Sequence, residues 1–154
     1  MTALIGVANQ LDPNVLKLAF IFMLVGYGTK VGLVPMHTWL PDAYSEAPAP
    51  IAAMLAGVLE TVAVYTVLRS KALVDQALPP EFTGNLLLTF GLLSFIVASL
   101  FILIQHNYKR LFAYSSIEHM GLAMIGFGVG GMIGTFGGLF HLLNHAVAKA
   151  LAFF

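Results

Sequence analysis

Residues 86–104, LLLTFGLLSFIVASLFILI, are predominantly apolar and carry no charged side chain. About 20 mostly apolar residues are enough to cross a bilayer as one helix. The rest of the chain has a similar character, because 59% of its 154 residues are apolar and only 9% are charged. A soluble domain has about 45–50% apolar and about 25% charged residues. The sequence therefore predicts an all-α membrane protein.

Further membrane segments are predicted on both sides of this one. Residues 51–68 form an apolar run whose only acidic or basic side chain is Glu60. The run of residues 111–154 is too long for one crossing at 1.5 Å per residue, and Gly130-Gly131 is the natural place to turn. This run therefore predicts two helices. With a segment at the start of the chain, the prediction is a polytopic bundle of about five membrane segments.

The segment at the start of the chain begins at about Val15 and is predicted to be interrupted. Residues 25–44, VGYGTKVGLVPMHTWLPDAY, place three glycines and a proline around Lys30. Glycine frees the backbone and proline removes a helical hydrogen bond. Broken helices occur at membrane depth where they are buried in protein or line a cavity. We therefore expect a discontinuous helix with Lys30 at the break, followed by a short second piece through Trp39.

Targeting and orientation signals are weak. The first residues, MTALIGVANQLDPN, contain no basic region and no small-residue cleavage site, so we do not interpret them as a signal peptide. Cytoplasmic loops are usually enriched in Lys and Arg. If the five segments alternate, Arg69 and Lys71 lie on one side of the membrane and Lys109 and Arg110 on the other. Both orientations stay open.

Charge balance and motifs exclude several function classes. Seven basic and seven acidic residues give a net charge of zero, so nothing indicates nucleic acid as a partner. The chain has no cysteine, which excludes disulfides, thiolate metal sites and cysteine-ligated iron–sulfur clusters within it. The glycine-rich GFGVGG at residues 126–131 follows no strand and is not interpreted as a phosphate loop. No nucleotide, flavin or haem motif is present, so we expect no cofactor in this chain.

Ionisable residues inside the predicted spans are candidate functional residues, because a charge at mid-bilayer costs about 2.5–3.5 kcal/mol on insertion scales. They include Lys30, Glu60, Glu118 and His119. Each also has a structural interpretation. Lys30 would extend its ammonium to an interface, Glu60 would be a permanently neutral buried carboxyl, and Glu118 with His119 would form a polar cap near a loop.

A ladder of ionisable side chains ends the chain. In FHLLNHAVAKALAFF, residues 140–154, the ladder residues His141, His145 and Lys149 lie four positions apart and therefore on one helix face, about 6 Å apart along the axis. Histidine and a buried lysine can pass protons along a water chain. We expect replacement of His145 to impair such a path more than replacement of His119, which lies on a different span.

Two other interpretations of the ladder stay open. Histidines at positions i and i+4 also suit a metal site, but HLLNH lacks the glutamate of the H-E-x-x-H motif, no third ligand is evident, and the cation at Lys149 would repel a metal ion. The ladder would otherwise be a set of hydrogen-bonded histidines that pack the bundle. We expect no metal.

Three motifs together resemble a known family. They are KVGLVPMHTWLPDAYSEAPAPIAAMLAGVL, YKRLFAYSSIEHMGL and FHLLNHAVAKALAF, at residues 30–59, 108–122 and 140–153. Their order and spacing resemble the antiporter-like membrane subunits shared by respiratory complex I (the proton-translocating NADH:quinone oxidoreductase), Mrp-type cation/proton antiporters and energy-converting hydrogenases. HTWLPDAYSEAPAP with YSSIEHMG most resembles the subunits of the hydrogenase 4 and formate hydrogenlyase type.

The resemblance implies a fold of two inverted repeats, each with a discontinuous helix that faces the ion path. The chain would then be an internal fragment of a single membrane domain. Residues 1–83 would end the first repeat, and residues 84–154 would begin the second. Members of the family are multi-pass proteins, and we expect this chain in the cell inner (plasma) membrane.

The resemblance also implies roles for individual residues in a proton relay. Lys30 matches the lysine of the broken helix at the centre of the first half-channel. His141, His145 and Lys149 match positions on the helix that leads to the second channel. Several relatives have lysine at the position of Glu60, which is thought to link the half-channels, so the carboxyl departs from that pattern.

The implied function is translocation of protons or sodium ions, driven by redox chemistry in partner subunits of a complex I-like or membrane-bound hydrogenase complex. The chain itself would be a non-redox subunit of such a translocase. Its partners would be other membrane subunits, the lipid bilayer and the transported ions, and not nucleic acid. An alternative is an Mrp-type cation/proton antiporter subunit without a redox partner. A third interpretation is a helical spacer whose polar residues only hold the bundle together.

Overall fold

A computed structural model describes residues 11–154, which form helices joined by short loops. The prediction that residues 1–14 contain no signal peptide falls mainly on residues 1–10, which lie outside the described residues. The helices are α1 (Pro13–Val31), α2 (Trp39–Glu46), α3 (Ala49–Val74), α4 (Pro80–Ile102), α5 (Tyr108–Val129) and α6 (Gly131–Phe153).

The predicted all-α bundle is confirmed, with the first membrane segment divided into α1 and α2. By length and composition, α1, α3 and α4 are able to cross a membrane. The helices α5 and α6 are of similar length, with 22 and 23 residues. They contain the ionisable side chains of the YSSIEHMG motif and of the ladder, which lower their hydropathy relative to the other three helices.

The predicted helix break follows Lys30. Helix α1 ends at Val31, and Gly32 adopts the left-handed conformation with φ of 86°, which glycine tolerates without strain. Lys30 therefore lies in the last turn of α1. The indole N–H of Trp39, the first residue of α2, donates to the carbonyl oxygen of Thr29 at 2.6 Å. This bond satisfies a carbonyl at the end of α1 and ties the two pieces together across the break.

A hydrogen bond from α4 holds the loop between α1 and α2 in place. The backbone N–H of Val34 donates to the Ser94 hydroxyl at 2.9 Å, and both residues are buried. The same hydroxyl donates to the carbonyl oxygen of Phe90 at 2.7 Å. One serine therefore satisfies a loop amide that has no helical partner and holds the break against the bundle.

Helix α3 is not regular along its length. A π turn occupies Leu55–Leu59, and α-helical geometry resumes at Glu60. A π turn inserts one extra residue into a helical turn, so it changes the direction in which the following side chains point. The irregularity lies directly before the buried carboxyl of α3.

The helices α4 and α5 pack closely through glycines. A Cβ atom built on Gly121 would lie 2.8 Å from the carbonyl oxygen of Gly91 and 2.8 Å from the amide nitrogen of Phe95, and Gly84 and Gly128 meet in the same way. Small residues allow this approach of two helix backbones inside a membrane, where packing rather than hydrophobicity drives helix association.

Replacing Gly121 by alanine should therefore destabilise the bundle, because the added methyl group meets backbone atoms that cannot move independently. Overpacking of this kind costs about 1–3 kcal/mol. We expect Gly121→Ala to lower the thermal unfolding midpoint of the detergent-solubilised protein. Gly137→Ala on α6 is the matched control, because its Cβ would meet nothing within 4 Å. Equal midpoints for the two variants would contradict the close α4–α5 contact.

Candidate functional site

Glu60 is a fully buried carboxylic acid at a point where α2, α3 and α6 meet. Its Oε1 accepts a hydrogen bond from the hydroxyl of Tyr44 at 2.5 Å. Its Oε2 lies 3.2 Å from Nε2 of His145, within hydrogen-bond reach. Glu60 and Tyr44 are both 0% exposed. Each oxygen of the carboxyl therefore has a partner on a different helix, which reduces the cost of burying it.

The local geometry of α3 brings Glu60 to α6. A Cβ atom on Gly57, inside the π turn, would lie 3.2 Å from the carbonyl oxygen of Ala146 and 3.4 Å from the side chain of Ala150. The two helices therefore approach each other closely beside the π turn. Glycine at this position permits the approach, and the turn precedes the carboxyl that contacts His145.

The ladder lies on one face of α6, as its spacing predicts. His145 and Lys149 are buried, with 4% and 6% exposure, and His141 is partly buried. The buried ladder positions therefore face the bundle and not the surface of the described chain.

The contacts of the ladder run across helices and not along α6. Nε2 of His141 lies 3.1 Å from Nδ1 of His119 on α5. The rings of His119 and His145 have centroids 5.5 Å apart. The side chain of Glu60 then contacts His145 from α3. His119 lies on a different helix, as expected, but it contacts the ladder and does not stand apart from it.

Lys149 occupies the other end of the ladder. Its Nζ donates to the carbonyl oxygen of Phe112 at 3.1 Å and lies 5.5 Å from the centroid of the Phe112 ring. An ammonium group over an aromatic face gains a favourable interaction with the ring. These contacts hold Lys149 inside the bundle. Together, Tyr44, Glu60, His119, His141, His145 and Lys149 are called the buried cluster below.

Glu118 and His119 do not form a polar cap near a loop, so that interpretation is wrong. Both lie in the middle of α5, partly buried. The carboxylate of Glu118 accepts a hydrogen bond from the Ser99 hydroxyl of α4 at 2.8 Å. Glu118 therefore bonds to α4, whereas its neighbour His119 bonds to α6 through His141.

Lys30 is not brought into the buried cluster. It is exposed in the described structure, and its Nζ lies 5.8 Å from the centroid of the Trp39 ring. Within residues 11–154, its ammonium forms no ion pair with a carboxylate. Its position at the helix break agrees with the sequence analysis, and its role in a relay stays a prediction.

The metal interpretation of the ladder concerns His141 and His145. Within residues 11–154, no group of three or more His, Asp or Glu side chains is arranged to hold a metal ion. Each of the two ladder histidines has a protein partner instead, His119 for His141 and Glu60 for His145.

Two features of the site were missed by sequence reasoning. Tyr44 has no spacing signal that connects it to Glu60, because the end of α2 and the start of α3 lie between them. The π turn has only an indirect signal, since Gly57 stands three residues before Glu60 in a helix that otherwise contains no glycine. Both features depend on how the helices pack.

Comparison with known proteins identifies the family. Residues 2–154 match the family described as NADH:quinone oxidoreductase/Mrp antiporter, TM. The chain is 47% identical, over 99% of its length, to a hydrogenase-4 component F homolog of Methylacidiphilum infernorum (isolate V4). It is 40% identical, over 96% of its length, to NAD(P)H-quinone oxidoreductase chain 4 of Prochlorococcus marinus (strain MIT 9515).

The match covers most of this chain but a minor part of each relative. The chain spans 32% of the hydrogenase-4 component F homolog and 27% of the quinone oxidoreductase chain. The resemblance to antiporter-like subunits, including those of the hydrogenase 4 type, is confirmed. The chain belongs to the transmembrane NADH:quinone oxidoreductase/Mrp antiporter family.

Proposed function

We propose that this chain is part of an ion-translocating membrane subunit and that its buried cluster carries protons. The transported ion is a proton or a sodium ion, and redox chemistry in partner subunits drives its movement. The observation that carries the proposal is the contact between the buried carboxyl of Glu60 and the ring of His145. Both groups exchange protons, and both lie in helices of a membrane family.

A spacer function does not require this arrangement. Leucine or phenylalanine fills space in an apolar bundle without the cost of burying ionisable groups. Here a carboxyl, three imidazoles and an ammonium are gathered from α3, α5 and α6. Hydrogen bonds satisfy these groups, and the same bonds are suited to proton transfer.

The contacts define an order of transfer. Proton transfer needs heavy atoms within about 2.6–3.2 Å, or one bridging water. The separations of His141 from His119 and of His145 from Glu60, 3.1 Å and 3.2 Å, fall within this range. The step from His119 to His145, with ring centroids 5.5 Å apart, is within reach of ring rotation or one water. A proton accepted by His141 therefore has a route to Glu60.

Lys149 would influence proton transfer through its charge and would not itself pass the proton between His145 and Glu60. It lies one helical turn beyond His145 and bonds to a backbone carbonyl, not to the carboxyl of Glu60. A positive charge on Lys149 acts through space on both Glu60 and His145. A change in the charge of Lys149 would thus move the proton between these two groups.

We prefer ion translocation that is driven by redox chemistry in partner subunits over ion exchange without a redox partner. The relatives named above are a hydrogenase component and a quinone oxidoreductase chain, which favours a subunit of such a complex. The Mrp-type antiporter stays as the alternative, because the family description includes it.

Sealed vesicles that contain the complete protein and its partner subunits distinguish the two. A redox-driven subunit should show ion uptake only when the electron donor is present, measured with a pH-sensitive dye for protons and a radioactive tracer for sodium. An exchanger should show uptake after an imposed sodium or pH gradient without a donor. If neither ion is taken up under either condition, the result would favour the spacer interpretation.

The role of Lys30 gives a separate prediction. If it belongs to the same path, Lys30→Ala should slow donor-driven ion uptake while assembly stays intact, because a lysine at a helix break can face a hydrated cavity and respond to neighbouring charges. Lys17→Ala on the same helix is the matched control. Equal uptake by the two variants, with normal assembly on native gels, would assign Lys30 to the surface.

A further inference from the structure

The hydroxyl of Tyr44 is bound to one atom of the buried cluster. It donates to Oε1 of Glu60 at 2.5 Å, and Tyr44 and Glu60 are both fully buried. Within the described residues this is the hydroxyl's only hydrogen bond to a protein atom. The other oxygen of the carboxyl contacts His145. Tyr44 and His145 therefore hold the two ends of the same carboxyl group.

Packing fixes the direction of the hydroxyl. The ring of Tyr44 meets that of Phe153 edge to face, with centroids 5.3 Å apart and planes at 90°. Phe153 in turn contacts Phe112 of α5, with centroids 5.9 Å apart. Because the ring of Tyr44 is fully buried and contacts Phe153, it has little freedom, and its hydroxyl stays directed at Glu60.

The helix that carries Tyr44 is itself tied to α5. The guanidinium of Arg110 forms a salt bridge with Asp42 at 2.5 Å. Nζ of Lys109 donates to the carbonyl oxygen of Ala47 at 3.0 Å. The two bonds hold the middle and the C-terminal end of α2 against the start of α5. Tyr44 is thus positioned relative to α5, which also carries His119.

The geometry points to Tyr44 as a positioning residue that directs the Glu60 carboxyl toward His145 and sets the pH range in which this carboxyl exchanges its proton. This inference rests on the proposed function. The terminal torsion of a glutamate is broad, so an unheld carboxyl is able to turn away from its partner. A hydroxyl that donates to an ionised carboxylate also stabilises the ionised form.

The other groups around the carboxyl do not replace this bond. From α6, His145 and Lys149 face Glu60, and His119 of α5 lies behind His145. From α2, the hydroxyl of Tyr44 is the donor to Oε1. Without the hydroxyl, Oε1 loses its donor, and the carboxyl is held only through Oε2.

The test uses Tyr44→Phe in the complete protein assembled with its partner subunits. Phenylalanine keeps the ring and its contact with Phe153 but lacks the hydroxyl. We expect the pH profile of ion translocation to move toward alkaline pH by about one unit, as expected for the loss of one hydrogen bond to a charged group. The matched control is Tyr65→Phe, five residues after Glu60 on α3, where the side chain is 59% exposed.

Infrared spectra give a second measurement that does not depend on transport. The C=O stretch of protonated Glu60 is identified by its loss in Glu60→Gln. In Tyr44→Phe this band should move to higher wavenumber, because the carbonyl loses its donor. The exposed-site control Tyr65→Phe should leave the band in place.

The outcomes separate this inference from the proposed function. An unchanged band and an unchanged pH profile in Tyr44→Phe would overturn the positioning role, even if Glu60→Gln stops transport. Normal transport in Glu60→Gln would overturn the proposed relay, whereas a band shift in Tyr44→Phe would still support the contact. A shifted band with an unchanged pH profile would also overturn the inference, because the bond would then not set the pH range.

Discussion

Replacing Glu60 by glutamine should lower the rate of ion translocation by about a hundredfold, the scale on which a positioned proton-transfer group contributes. The amide keeps the shape of the side chain and retains an oxygen that can accept from Tyr44. It does not take up or release a proton near neutral pH. The rate is measured as dye-detected uptake in vesicles that contain the assembled complex, energised with its electron donor.

Glu46→Gln provides the control, because Glu46 is exposed at the end of α2. This variant should translocate ions at the wild-type rate. Glu60→Ala should be about as inactive as Glu60→Gln if proton exchange is the function of the carboxyl. Full activity in Glu60→Gln, with impairment only in Glu60→Ala, would reduce Glu60 to a packing role.

The second large effect is expected at His145. Replacement by leucine removes the imidazole between His119 and Glu60, so the proton route is interrupted and the carboxyl loses the partner of Oε2. We expect translocation to fall by about a hundredfold. Glutamine at the same position should also be defective, because it forms hydrogen bonds without exchanging a proton. Native gels establish that each variant assembles.

A packing role for His145 predicts the opposite result, because leucine has similar bulk and suits an apolar bundle. The control is His106→Leu, since His106 is exposed in the loop before α5. His119→Leu should also slow uptake, because it interrupts the route from His141. It should be less severe than His145→Leu, because the carboxyl of Glu60 keeps its partner His145. Normal uptake in both His145 variants would show that the spacing of the ladder is a coincidence.

The local features of the fold were predictable from the sequence. Gly32 and Pro35 interrupt the first helix through their own backbone preferences, so the break at Lys30 needs no tertiary information. Gly130 and Gly131 end α5 and begin α6 with positive φ angles for the same reason. The shared face of the ladder follows from helical periodicity alone.

The connections within the site were not predictable, because they depend on packing between distant segments. The contact between Glu60 and His145 joins residues 85 positions apart, and that between His119 and His141 joins residues 22 positions apart. The π turn before Glu60 changes the direction of its side chain relative to a regular helix. The role of Tyr44 depends on its contacts with Glu60 on α3 and Phe153 on α6.

For Lys30, the position in the chain was predictable, but its contacts were not. Its place in the chain was predicted, but the expectation that it shares a relay with Glu60 receives no support from a contact in residues 11–154. Sequence placed both residues in membrane segments next to each other along the chain. It carried no information on which side of α1 faces the buried cluster.

The most direct test of the central proposal is infrared difference spectroscopy of the intact complex during turnover. If Glu60 takes up and releases a proton in each cycle, adding the electron donor should change the amplitude of a protonated carboxyl band. That band should shift in heavy water, be absent in Glu60→Gln and be strongly reduced in His145→Leu. A turnover spectrum that is identical in wild type and Glu60→Gln, while ions are being translocated, would contradict the proposal.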